Sequence, residues 1–302
     1  MSTGSSVCNR RRVLGSSALL AAGLLASEMA WAKQDDRRSG TAKVDGVDIY
    51  YEIHGGTLDG ATPIVLLHGG ALTIEIAFTP ELIARFARHQ PVIAIEQQGH
   101  GHTADRPATP MTLDQMVKDT AGVLAHLKVR QADFLGHSLG GMVAAGMAIH
   151  HPDVVRNVTT LGAPYQLEGF RADIVRLQRD PNAVPSPELA RLLPTEADFL
   201  AMRASFERSA PDPTTFDAIL ERLNTMLTAW PGWTDDELRS IRAPTLVAIG
   251  DNDYVRIDHA AQVARLIPGG RLVVLPGTTH LGIIKRDAWL EPMLQALTRP
   301  EL

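Results

Sequence analysis

The chain has 302 residues, 45% hydrophobic and 21% charged. That composition supports a real core and excludes disorder as the main state. Lys and Arg total 29 against 34 Asp and Glu, a formal charge of −5, and no basic block is present to neutralise phosphates, so nucleic-acid binding is excluded as a function class.

The first 32 residues read as a signal. Asn9-Arg10-Arg11-Arg12-Val13-Leu14 is a cationic start, residues 16–26 are a short, weakly apolar run, and Ala30-Trp31-Ala32 is a small-residue cleavage site. These are the three parts of an export signal, with cleavage expected after Ala32. The arginine pattern resembles a twin-arginine signal, with Val13 where Phe is commoner. The apolar run falls short of the roughly 20 residues a comfortable membrane span needs. An exported protein, periplasmic or secreted and without stable membrane insertion after cleavage, is therefore expected; an uncut N-terminal anchor is the alternative. Cleavage would leave residues 33–302 with 26 basic and 33 acidic residues, a formal −7. Cys8 is the one cysteine and falls inside the signal, so the mature chain would hold no disulfide, thiol nucleophile or Cys-based zinc site.

Residues 33–40 read as a polar tail. Lys43 to Ile53 predicts a hairpin turning at Asp45-Gly46, a favoured two-residue turn. Residues 63–67, 92–95, 132–135, 158–161, 245–249 and 272–275 are short and mostly apolar, as parallel strands covered on both faces are. Helical patterns lie between them at 81–89, 112–128, 139–150, 258–267 and 287–298. This alternation predicts right-handed crossovers in a mostly parallel, doubly wound α/β sheet. From Tyr165 to Arg242 the rhythm stops, and helical patterns (173–179, 187–193, 196–209, 214–229) occur without a convincing strand. The expected organisation is a core of residues 33–164 and 243–302 with a helical cap, 165–242, inserted between two core strands.

Gly136-His137-Ser138-Leu139-Gly140 is G-x-S-x-G, placed after an apolar strand and before an Ala-rich helix. That is the context of a nucleophile elbow. The turn would lift the Ser138 hydroxyl above the carboxyl end of the sheet, at a helix N-terminus that favours a developing anion. A serine needs a base and an orienting carboxylate to attack a carbonyl, and behind an elbow these follow in the order acid, then His. Of eleven histidines, His280 follows the last predicted strand. Gly250-Asp251-Asn252-Asp253 follows the strand before it. Asp253, three residues beyond Gly250, has the better reach, with Asp251 as the alternative. His68-Gly69-Gly70-Ala71 follows the earlier strand, and the N–H of Gly70 or Ala71 together with that of Leu139 would form an oxyanion hole.

With these residues in place, the chain resembles the α/β-hydrolase fold superfamily of lipase- and esterase-like enzymes over residues 43–298. Leu66-Leu67-His68-Gly69-Gly70 matches its oxyanion motif, Gly136 to Gly141 its elbow, and Asp253 and His280 fall at its acid and base positions. Glu96-Gln97-Gln98-Gly99-His100-Gly101-His102-Thr103 departs from the family's usual Asp-x-Arg-Gly-x-Gly-x-Ser at Glu96, Gln98 and Thr103. Those departures bear on the geometry of a supporting loop rather than on catalysis.

The expectation is an acyl-enzyme serine hydrolase acting on a small carboxylic ester or lactone. No cofactor motif occurs. A metal reading of His100, His102 and Asp105 fits less well than a structural turn. The same triad serves C–C bond hydrolases, perhydrolases and peptidases, and acyl transfer or a non-catalytic binding protein on the same scaffold are further alternatives. His137 is expected to be structural or to line the pocket, and His150-His151 to close a helix. The cap aromatics, among them Tyr165, Phe199, Phe206, Phe216, Trp230 and Trp233, either line an apolar pocket or pack the cap onto the core.

Overall fold

The computed structural model describes residues 37–180 and 182–298. The expected export signal, residues 1–32, and Cys8 lie outside the described residues.

Asp45 and Gly46, at φ 44° and 84°, turn the chain between β1 (Arg38–Val44) and β2 (Val47–His54). A two-residue hairpin needs this pair of left-handed conformations. Pairing continues from Val44↔Val47 to Arg38↔Ile53, so Arg38, Ser39 and Gly40, expected in a polar tail, belong to the strand. β1 forms the sheet edge and is largely exposed. Besides its backbone pairing, the buried Ala42, packing of the helix Leu113–His126 and a hydrogen bond from Arg106 to the Val44 carbonyl at 2.7 Å hold it there, and charged side chains suit such an edge.

β3 (Ile64–Leu67) and β4 (Val92–Ile95) are buried throughout. They are followed by β5 (Ala132–His137), β6 (Val155–Leu161), β7 (Thr245–Asn252) and β8 (Arg271–Thr279). The eight strands lie in the order β1-β2-β4-β3-β5-β6-β7-β8. β2 runs antiparallel to β4, and each neighbouring pair from β4 to β8 is parallel, so the mostly parallel doubly wound α/β sheet is the one observed. β4 and β5 flank β3, which makes β3 the point where strand order reverses and where such sheets open a crevice at their carboxyl ends. The pairing Leu67↔Gly136 closes the β3–β5 ladder and brings the following turns out side by side.

Helices flank the sheet. α1 (Ile74–Ala77) and α2 (Pro80–Ala87) precede β4, α3 (Leu113–His126) precedes β5, and α4 (Leu139–His150) joins β5 to β6. The side chain of Thr79 caps α2 by accepting the Leu82 N–H, and that of Thr112 caps α3 by accepting the Gln115 N–H. α4 packs against β3, β5, β6 and α3. Its first ten positions are almost all buried, so it is apolar on every side rather than on one stripe.

Between β6 and β7 the described residues form helices: α5 (Ala172–Arg179), α6 (Pro187–Ala190), α7 (Glu196–Ser209), α8 (Phe216–Ala229) and α9 (Asp235–Ser240). Phe206 and Phe199 pack on Phe216 at 5.3 and 5.7 Å between ring centres. α7 is tied to the core where the Ser205 and Thr73 hydroxyls meet at 2.7 Å. α8 is tied by Arg222, which pairs with Asp105 at 2.9 Å and donates to the Thr109 carbonyl at 2.6 Å. α10 (Ile257–Leu266) covers β7 and β8, and α11 (Asp287–Thr298) packs on α2.

Candidate active site

Ser138 sits between β5 and α4 at φ 50°, ψ −116°, a conformation that costs a non-glycine residue about 1–3 kcal/mol. Its N–H donates to the Leu161 carbonyl at 2.8 Å, and its carbonyl accepts the Met142 N–H at 3.0 Å. The surroundings leave no alternative: a Cβ on Gly136 would stand 2.1 Å from the Gly140 carbonyl oxygen, and one on Gly140 would stand 2.1 Å from the Leu67 carbonyl oxygen. Ser138 holds the N-cap position of α4, yet its hydroxyl makes no capping bond.

His280 follows β8 and Asp253 follows β7, and both are buried. His280 Nδ1 lies 2.8 Å from Asp253 Oδ1. A carboxylate oxygen accepts, so Nδ1 carries the proton and Nε2 is left with its lone pair. The Val255 N–H also donates to Asp253 Oδ1, at 2.9 Å. The other oxygen, Oδ2, is buried and receives no hydrogen bond from the described residues. Asp251 is exposed and instead accepts the Thr278 N–H at 3.0 Å, which secures the end of β8.

Three neighbours of this pair carry no signal in the motif. Gly162, at φ 56°, follows the residue that binds the Ser138 N–H; a Cβ on it would stand 2.7 Å from Asp253 Oδ2 and 3.0 Å from His280 Nδ1. Tyr254 stacks on the His280 ring with centroids 4.0 Å apart. Burial and the Asp253 charge push its phenol up, so it stays neutral. His137 is buried, with its Nε2 2.9 Å from the His280 carbonyl oxygen. Nε2 is therefore the donor, and burial beside His280 holds the His137 ring well below the usual imidazole range.

The turn after β3 lies across from the elbow. A Cβ on Gly70 would stand 3.8 Å from both Leu139 Cδ2 and Leu223 Cδ1 of α8. Ala71 has φ 62°, and its N–H donates to His100 Nε2 at 3.1 Å. That donor is occupied, so Ala71 lacks the free N–H that its expected place in an oxyanion hole requires. The Leu139 N–H, first in α4, has no acceptor within its helix. His100 Nδ1 donates to the Gln98 carbonyl at 2.9 Å, while His68 Nε2 accepts the Gln97 N–H at 3.0 Å. Burial and the neighbouring His100 lower His68 to about 3. Both imidazoles are neutral struts between β3 and β4.

The unusual residues of the 96–103 segment build that support. One oxygen of Glu96 accepts the His102 N–H at 2.6 Å and its Nδ1–H at 2.8 Å. The carboxylate fills the space over Gly101, where a Cβ would stand 2.1 Å from it. Thr103 Oγ1 donates to the Glu96 carbonyl at 2.8 Å and accepts the Tyr50 N–H at 2.9 Å.

Among the aromatic residues of the segment 165–242, Trp230 and Trp233 meet edge to face at 5.6 Å and border a cleft of about 650 Å³ between α8 and residues 110–114. None of Ser138, Asp253, His280, Gly70 and Leu139 lines that cleft. Tyr165 stacks on His259, and burial lowers the His259 pKa to about 4.

This fold carries a hydroxyl on a strained turn, a carboxylate-held imidazole and backbone donors opposite. The model of the alpha/beta hydrolase fold family matches residues 62–287, and the chain belongs to that family. It is similar to the putative carbamate hydrolase RutD of Azorhizobium caulinodans, 31% identical over 262 residues, covering 82% of this chain and 94% of that protein. It is 28% identical over 236 residues to the 2-(acetamidomethylene)succinate hydrolase of Mesorhizobium japonicum, covering 73% and 82%. Among solved structures it resembles Est816, described as an N-acyl homoserine lactone degrading enzyme, with TM-score 0.66 and 30% identity over 85% of this chain and 99% of that one.

Proposed function

We propose that this protein is a serine hydrolase that cleaves a small carboxylic ester or lactone through an acyl-enzyme. The observation that carries this reading is the His280–Asp253 hydrogen bond at 2.8 Å beside the strained elbow of Ser138. Ser138 attacks the carbonyl as His280 Nε2 takes its proton. Asp253 fixes the imidazole tautomer and stabilises the imidazolium. The N–H groups of Gly70 and Leu139 hold the tetrahedral oxyanion, each such donor contributing about 3–4 kcal/mol. His280 then protonates the leaving alcohol, and water deprotonated by the same imidazole releases the acid. Lactone degradation is what Est816 is described for, and carbamate and acetamido hydrolysis in the named relatives likewise involve an acyl carbon.

Fluorophosphonate labelling and turnover of short and medium-chain p-nitrophenyl esters and lactones test the reading. Both should vanish in Ser138→Ala, with kcat down roughly 10⁴–10⁶-fold. A folded wild-type chain that neither labels nor turns over any of these substrates would overturn it.

The signal-like segment 1–32 makes export part of the proposal, and the first described strand begins at Arg38, six residues beyond Ala32. N-terminal sequencing of the exported protein should start at Lys33. An exported form that still begins at Met1 would refute cleavage.

A further inference from the structure

His137 is adjacent in sequence to Ser138, but its side chain reaches the other half of the site. Its Nε2–H meets the main-chain oxygen of His280 at 2.9 Å, across 143 positions of chain. The bond joins the backbone next to the nucleophile to the backbone of the base.

The ring has no freedom to serve elsewhere. It is 1% exposed, with its centre 4.8 Å from that of the His280 ring. Gly69 closes over its far edge, where a Cβ would stand 2.6 Å from Nδ1. Nδ1 itself is buried and has no hydrogen-bond partner among the described residues, so among them one nitrogen alone anchors the imidazole. A buried acceptor left without that donor would lose its hydrogen bond with no water in exchange.

We propose that His137 is a positioning residue for the reaction, holding the His280 main chain so that the base keeps its place relative to Ser138 without depending on the Ser138 hydroxyl. This role rests on the serine-hydrolase reading. It requires a neutral imidazole that donates from Nε2 and does not exchange protons with substrate. The fixed quantity is the backbone at residue 280: Asp253 orients the ring from Nδ1, and His137 sets the point from which the ring hangs. Near-attack geometry tolerates little displacement, and about 1 Å can cost about 10²-fold in rate.

The test compares two amides of different reach. In the full chain, His137→Gln carries a donor on a side chain long enough to approach the His280 oxygen, and His137→Asn carries the same donor one methylene shorter. The expected result is a Gln variant within about threefold of wild-type kcat and an Asn variant lowered 10–100-fold. KM should change less than twofold in both, and the rate of fluorophosphonate labelling should fall in parallel with kcat. Wild type and Ser138→Ala, assayed alongside, report on the hydrolase reading separately. If wild type is active through Ser138 while folded Asn and Gln variants are equally active, or equally impaired, the positioning role is overturned. If neither variant folds, Gly69→Ala, which presses on Nδ1 while leaving the donor in place, should lower labelling and kcat together. Full activity there would overturn the role as well.

Discussion

Tyr254 lies nearly face-on to His280, with ring centres 4.0 Å apart and planes 29° from parallel. An imidazole that gains a proton in the transition state becomes a cation against this aromatic face, and such contacts contribute about 0.5–2 kcal/mol. Tyr254→Leu should therefore lower kcat about 2–30-fold, while Tyr254→Phe should match wild type. Steady-state kinetics read both outcomes, and an unchanged kcat in the Leu variant would mean the ring only fills space.

Asp251, near the end of β7, and Asp253, just after it, have different duties. Asp253 meets His280 Nδ1, whereas Asp251 is exposed and holds the Thr278 N–H. Asp253→Asn would let the imidazole adopt the wrong tautomer, for which a loss of about 10⁴-fold in kcat is the expected scale. Asp251→Asn should stay within about tenfold. Equal losses in both variants would reassign the orienting acid.

Gly162 has no room for a side chain. Its φ of 56° costs an L-residue about 1–2 kcal/mol, and its Cβ would press on both Asp253 and His280. Gly162→Ala should lower the melting temperature and reduce kcat more than tenfold. Full activity in the Ala variant, measured with its thermal unfolding, would show that the acid–base pair can yield.

Acid should unfold this protein from an early point. Burial lowers the folded-state pKa of His68 to about 3 and of His259 to about 4, and it also lowers His100 and His137. Unfolded, each takes a proton near pH 6.5, so stability falls as pH drops below that value and continues to fall until the folded pKa is reached. Each such histidine adds about 1.4 kcal/mol per pH unit to the slope. His102 acts in the opposite sense: Glu96 raises its pKa, so its contribution is complete below pH 6.5 and lost as pH rises through the folded value. Urea midpoints between pH 7.5 and 5 should decline, and His259→Gln should reduce the slope by about one proton. A flat profile would mean that these rings are already charged in the native state.

Much of this architecture is legible in the chain. Apolar runs such as Ile64–Leu67 and Val92–Ile95 are read as buried parallel strands because both faces are covered, and the Gly136–Gly140 spacing marks a turn that admits nothing larger. What local pattern misses is settled across space. Arg38–Gly40 pair at an edge that does not require apolar side chains. α9 is six residues long, too short for periodicity, although Thr234 and Glu237 spell its capping box. No spacing rule reveals that the Ala71 N–H is taken by His100, or that Gly162 must remain bare beside Asp253.

The ladder β6–β7–β8 also has a temporal meaning. The elbow can form once β3, β5 and α4 meet, but the imidazole that completes it hangs from the last strand of the sheet. Contacts that close such long loops form late, because chain entropy opposes them until neighbouring strands are already docked. On the serine-hydrolase reading, catalytic competence is then expected late in folding: the Ser138 hydroxyl would stay an ordinary alcohol until the far end of the polypeptide brings His280 beside it.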